Sequence, residues 1–174
     1  VTDEELRIRG YLEAQGAKLA PAAIIEKVRV AMADLRAAAD AVPPGRFSER
    51  PEPGEWSANE VLAHVVAAGA HFGDTIVSAL DNRPQPPRTE GRGIEGAPAR
   101  TAAEWCDLLA RDREALFERV LRADPLAHLD NPIEHGMFGP LNWRETLLFM
   151  RLHDLDHAGQ LKKIAAALTA SRGA

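Results

Sequence analysis

His153 and His157, four residues apart in the segment RLHDLDHAGQL (151–161), are the side chains best placed to do chemistry. On a helix they lie about 40° apart around the axis and about 6 Å along it. Both imidazoles then share one face and can chelate a single metal ion. The apolar spacing turns that face inward, because Met150, His153, His157, Gln160 and Ile164 follow one another at helical intervals. Buried imidazoles need partners for both ring nitrogens. A metal would satisfy them, and so would an acidic residue such as Asp112, or buried water. His64, in WSANEVLAHVVAAGAH (56–71), is the best third candidate. It follows Val61 by three residues, and Ala67 and Ala68 leave space beside it. His71, two turns further on, is a candidate acid or base lining the same pocket.

Other readings of these residues are weaker. HDLDH imitates the HExxH of zinc peptidases, but Asp154 is one methylene shorter than glutamate and no downstream ligand motif follows. Asp154 and His157 also have the spacing of a di-iron carboxylate pair. No second such pair exists, since Glu60 and His64 are four apart rather than three. Asp112 falls between Leu108/Leu109 and Leu116, where a carboxylate can orient a metal-bound imidazole. Arg111, Arg113, Glu114, Glu118, Arg119 and Arg122 read as a solvated helix face. Trp56, Trp105 and Trp143 read as packing residues near helix starts. Met137 and Phe138 can fold over the pocket, whereas His128 and His135 lie in a proline-broken loop without an assigned role. The single cysteine, Cys106, excludes a disulfide framework and a cysteine-built zinc site. Beside Trp105 it reads as a buried, inert thiol.

These residues need helices to carry them, and the helix starts are legible. Thr2…Glu5, Ser57…Glu60, Thr101…Glu104 and Asn142…Glu145 each have the capping-box pattern. Val1 with Leu6 and Trp56 with Val61 have the spacing of hydrophobic staples, and Pro21 suits a first helical position. Four apolar stripes follow: Ile24 to Val42, Val61 to Leu80, Trp105 to Leu121 and Trp143 to Leu168. Four long amphipathic helices predict an all-α four-helix bundle in one domain, 1–174. A short extra N-terminal helix (1–16) and two long loops (82–100 and 123–141) complete it. A loop as long as 82–100 can cross the bundle or cover a site.

Composition narrows the function. With 45% hydrophobic and 27% charged residues the chain is globular rather than disordered, and only 5% aromatics with abundant alanine favour helices. A net charge of −5 argues against a nucleic-acid binder. No uninterrupted apolar run of about 18 residues is present, so no membrane partner is expected. The opening VTDEELRIRG lacks the apolar core of a signal peptide, which makes a cytoplasmic location the default expectation.

Trp56-Ser57-Ala58-Asn59-Glu60-Val61-Leu62-Ala63-His64 resembles the start of the second helix of the DinB/YfiT-like superfamily, and His153-Asp154-Leu155-Asp156-His157-Ala158-Gly159-Gln160-Leu161 resembles its last-helix motif. The resemblance implies a four-helix bundle in which His64, His153 and His157 hold a divalent metal, zinc or nickel. It further implies an enzyme using a low-molecular-weight thiol, mycothiol or bacillithiol, for S-transfer or isomerisation. His153 stands where some mycothiol-dependent members carry glutamate, which places the chain nearer the three-histidine branch. The expected function is a metal-dependent transferase or hydrolase acting on a small electrophile, with homodimerisation through helix faces. The competing reading is a non-catalytic metal- or small-molecule-binding bundle in stress response.

Overall fold

All four capping boxes form, and each opens a helix in the computed structural model, which describes residues 1–88 and 93–171. The helices are α1 (Asp3–Lys18), α2 (Pro21–Asp40), α3 (Ala58–Leu80), α4 (Ala102–Leu121) and α5 (Trp143–Ala170). Pro21 opens α2, as its fixed φ and missing N–H suit. In each box the Thr, Ser or Asn side chain accepts from the N3 amide while the N3 glutamate accepts from the cap's own N–H. Of the two staples, only the pair at α3 packs into the core. Val61 is fully enclosed and Trp56 packs on the same cluster, whereas Val1 and Leu6 are 95% and 56% exposed.

In the bundle α2 packs on α5 and α4, and α3 packs on α4 and α5. The pairs α2/α3 and α4/α5 therefore stand on the diagonals, so residues 41–57 and 122–142 are the connections that cross. The connection between α3 and α4 joins neighbours and needs no such length. Its described part returns to α3: Asn59 donates to the Pro98 carbonyl at 3.1 Å and accepts from the Arg100 amide at 3.0 Å. Gly93, at φ +75°, lies so close to α3 that a Cβ there would stand 2.4 Å from Ala67 Cβ. Loop backbone thus packs directly on α3 at Ala63 and Ala67.

Two expectations are corrected here. The N-terminal helix does not stop before Gly16 but runs on to Lys18, packed against α5. Gly16 marks the contact, since a Cβ there would meet Glu145 Cγ at 3.0 Å. Nor is 123–141 only loop: it holds an antiparallel hairpin, β1 (Ile133–His135) and β2 (Gly139–Leu141), with Ile133 opposite Leu141. Arg9 of α1 ties the hairpin down by donating to the Phe138 carbonyl at 2.6 Å. Helix α3 is also long and apolar enough, by composition, to cross a membrane, although no uninterrupted apolar run shows it. Here Val61, Leu62, Val65, Ile76 and Leu80, each at most 5% exposed, form its face toward the bundle core.

The core is not continuous. One apolar cluster gathers Leu35, Val61, Leu62, Trp105, Leu109 and Leu161. The other gathers Ile24, Ile76, Phe117, Trp143, Leu147 and Met150. Between them along α4 and α5 lie Arg113, His153, Asp154 and His157. Arg113 and Asp154, 2% and 0% exposed, form a bidentate ion pair with both bonds at 2.9 Å. Burial pushes the Asp154 carboxyl above its ordinary value, and the guanidinium opposes that rise. Arg113 is therefore no part of a solvated face. It is Asp112 that is exposed, out of reach of the role of orienting a histidine.

Asn142→Ala removes the cap of α5 and should cost about 1 kcal/mol in urea denaturation. Arg113→Met leaves a buried carboxylate without its partner and should cost about 3–5 kcal/mol, whereas Arg113→Met with Asp154→Leu should recover most of that loss.

Candidate metal centre

Helix α3 carries His64 and helix α5 carries His153 and His157, and the bundle brings the three rings together. Their centroids are 5.3 Å (His64–His153), 4.9 Å (His64–His157) and 4.5 Å (His153–His157) apart. One ring nitrogen from each lies within 4.8 Å of the other two, and His64, His153 and His157 form the one such group found among the described residues. The Nε2 atoms of His64 and His153 are 3.3 Å apart. Two nitrogens bound to one zinc ion at about 2.0–2.1 Å and a tetrahedral angle stand roughly 3.3–3.4 Å apart. The donor set therefore fits a divalent metal ion.

Each ring is held differently. His157 Nδ1 is 2.9 Å from Gln160 Oε1, an amide oxygen that can only accept. The proton of the neutral ring then sits on Nδ1, leaving the Nε2 lone pair for a ligand. His153 has a buried Nδ1 with no hydrogen-bond partner. Its ring is fixed by packing instead, with Phe72 at 5.5 Å, nearly perpendicular, and Phe149 at 6.1 Å. His64 lies against Trp56, centroids 5.1 Å apart. Burial first, then the nearby His157, His64 and Arg113, push His153 down to about 2. Its imidazole is neutral at physiological pH, the state that ligates metals.

The remaining sequence candidates separate cleanly. His71, on α3 two turns beyond His64, contacts the Phe72 ring at 6.3 Å and is not one of the clustered imidazoles. Cys106 is buried, and burial pushes its thiol up to about 11, so it is inert at neutral pH. Phe138 is 4% exposed and packs on Phe149, while Met137 points outward at 55%. His135, without a role in the sequence reading, lies in the hairpin against Phe138 and Phe149. Asp154 is neither a peptidase acid nor a di-iron ligand, being paired with Arg113. Beside the centre, Trp56, Gln160, Lys163 and Ile164 line an open cleft of about 610 Å³. A second cleft, about 420 Å³, lies between Asp40, Phe47 and Arg100, and none of the three histidines lines either cleft.

No curated protein sequence matches the chain. Among solved structures it is similar to TT2238, a four-helix bundle protein, with 21% identity and a TM-score of 0.62 over 80% of this chain and 96% of that one. It is also similar to the mycothiol-dependent maleylpyruvate isomerase, with 15% identity and a TM-score of 0.67, and to a mutant of that enzyme at 14%. There the match covers 84% of this chain and only 62% of the isomerase. At these identities the likeness concerns the fold. The sequence model of the DinB superfamily matches residues 27–161, a span that contains all three clustered histidines. The chain belongs to the DinB superfamily.

Proposed function

We propose that this protein is a metal-dependent enzyme in which His64, His153 and His157 hold a divalent ion, zinc or nickel, and that it transfers or hydrolyses a small electrophile with the help of a low-molecular-weight thiol. The observation that carries the reading is the convergence of three imidazoles from two helices, one ring nitrogen of each within 4.8 Å of the others. Three protein ligands leave positions for water or substrate, as catalytic sites do; a structural site would be closed by four. When bound, the ion lowers the pKa of a coordinated water or thiol and so supplies a nucleophile near neutral pH.

The chain's own residues support this use. Gln160 directs the His157 lone pair, and Trp56, Phe72 and Phe149 shield the imidazoles with apolar rings. The cleft beside Trp56 and Gln160 has the size of a small-molecule site. Cys106 is unsuitable as a nucleophile, so sulfur chemistry here needs a thiol from outside the chain. The shared fold with a mycothiol-dependent enzyme favours mycothiol or bacillithiol as that thiol.

Metal analysis of tag-free protein after zinc or nickel loading should give about one ion per chain, and His157→Ala should abolish it. A wild type without stoichiometric metal sinks the three-histidine proposal. Gln160→Ala should keep the site but weaken metal affinity by about 10–100-fold, measured by competition with a chelating dye. Incubation of the loaded enzyme with monochlorobimane and a panel of bacterial thiols should give turnover above the uncatalysed rate with one of them. Rates equal to background for every thiol remove the thiol part and leave hydrolysis standing.

A further inference from the structure

The side of the centre occupied by Phe149 carries two polar groups that neither the fold nor the three-histidine cluster uses. Arg88 is exposed, and no hydrogen bond or ion pair to a described residue holds it. Its guanidinium nevertheless has a seat in the hairpin. It lies over Gly136, where a Cβ would stand 2.6 Å from Arg88 Nη2. His135, the adjacent residue, is pinned: its ring stacks on Phe138 at 4.7 Å and 18°, and meets Phe149 edge-on at 4.4 Å. His135 Nδ1 accepts from the Met137 amide at 3.2 Å. In the neutral ring the proton is then on Nε2, a donor held in fixed orientation. Burial and the Arg88 charge both lower the His135 pKa, which favours that neutral ring. Phe149 also borders His153, so this pair stands one aromatic ring away from the proposed ligands.

A planar cationic fork next to a single fixed N–H donor is the complement of a carboxylate, which accepts two parallel bonds from arginine and a further one from a neighbour. The hairpin that presents His135 is anchored through Arg9, which makes it a platform rather than a free loop. We propose that Arg88 and His135 form a carboxylate-binding subsite beside the three-histidine centre, and that the small substrate is an anionic molecule carrying a carboxylate. The assignment of this ligand as substrate rests on the metal-centre reading, whereas the subsite itself does not.

The test is a ¹H–¹⁵N NMR titration of metal-free and zinc-loaded protein with succinate, dimethyl succinate and inorganic phosphate. Succinate should bind both forms and shift hairpin resonances, while the neutral ester should bind neither. Arg88→Ala should weaken succinate binding by about tenfold or more, the loss expected for a charge-assisted pair, with Arg88→Lys falling between. Gly136→Ala, which keeps the charge but crowds its seat, should also weaken binding. His135→Gln, which keeps a donor, should lose less than His135→Ala. Unchanged affinity in Arg88→Ala, equal binding of the ester, phosphate binding as tight as succinate, or no succinate shift in the wild type overturns the proposal. Succinate binding that depends on Arg88 in protein unable to take up zinc leaves the subsite standing and sinks the metal centre, so the two failures are distinct.

Discussion

A bidentate ion pair between α4 and α5, Arg113 with Asp154, fixes the rotation of the helix that carries two of the three clustered histidines. Asp154 is flanked by His153 and lies three residues before His157, so its direction determines theirs. At 100° per residue, turning Asp154 toward α4 turns the histidine pair toward α3, where His64 waits. The pair is fully buried, and the desolvation of two charges is costly enough that a partial rotation of α5, which would part them, is strongly disfavoured. Apolar packing alone would not choose so sharply, because cores tolerate repacking when volume and pattern are kept.

The pair's position along the bundle matters as much as its strength. It lies between two apolar clusters, and the imidazoles share that level of α5. Sliding α5 by a turn would carry Asp154 into one of the clusters, away from Arg113, so the ion pair also sets the axial register. Small residues make room for it: a Cβ at Gly69 would come to 3.4 Å from Arg113 Nη2. Once α5 is seated, the histidines are placed without any strong bond among themselves, and fine orientation is left to Gln160 and the surrounding rings. Supporting groups of this kind set how well a ligand shell is prepared before anything binds.

Much of this is written locally in the chain. Capping boxes involve residues three apart, and both the inward histidine stripe and the helix-opening Pro21 are local patterns, so all were legible. The errors arise where two spacings compete. Leu109 and Leu116 place either residue 112 or residue 113 on the inner face, and chemistry favoured the aspartate over the arginine. Phe117, four residues beyond Arg113 and 1% exposed, resolves the choice, since the inner face of α4 runs through Leu109, Arg113, Leu116 and Phe117. An arginine on that face reads as an error in an amphipathic pattern until its partner on another helix is known. His135 was opaque for a different reason. Its neighbours Phe138 and Phe149 meet it only because a short hairpin folds back onto α5, and three-residue strands leave almost no periodic signal.

The connection between α3 and α4 shows how topology decides what a loop is for. Because α2/α3 and α4/α5 are the diagonal pairs, the long segments after α2 and α4 have distance to span, and the α3–α4 segment does not. The path of its described part is set by attachments to α3 itself. Asn59 takes hold of Pro98 and Arg100 near the helix start, and also accepts from the Trp105 indole at 2.7 Å. Gly93 approaches Ala67, less than one turn beyond His64. A side chain larger than alanine at 67, or any Cβ at 93, would push the chain away from the helix at that point. The alanine-rich stretch after His64 and the left-handed glycine opposite it are thus two halves of one contact. That contact holds loop backbone against the turn of α3 that carries His64, between the Ala63 carbonyl and the Ala67 methyl, because only alanine at one position and glycine at the other let the two backbones approach.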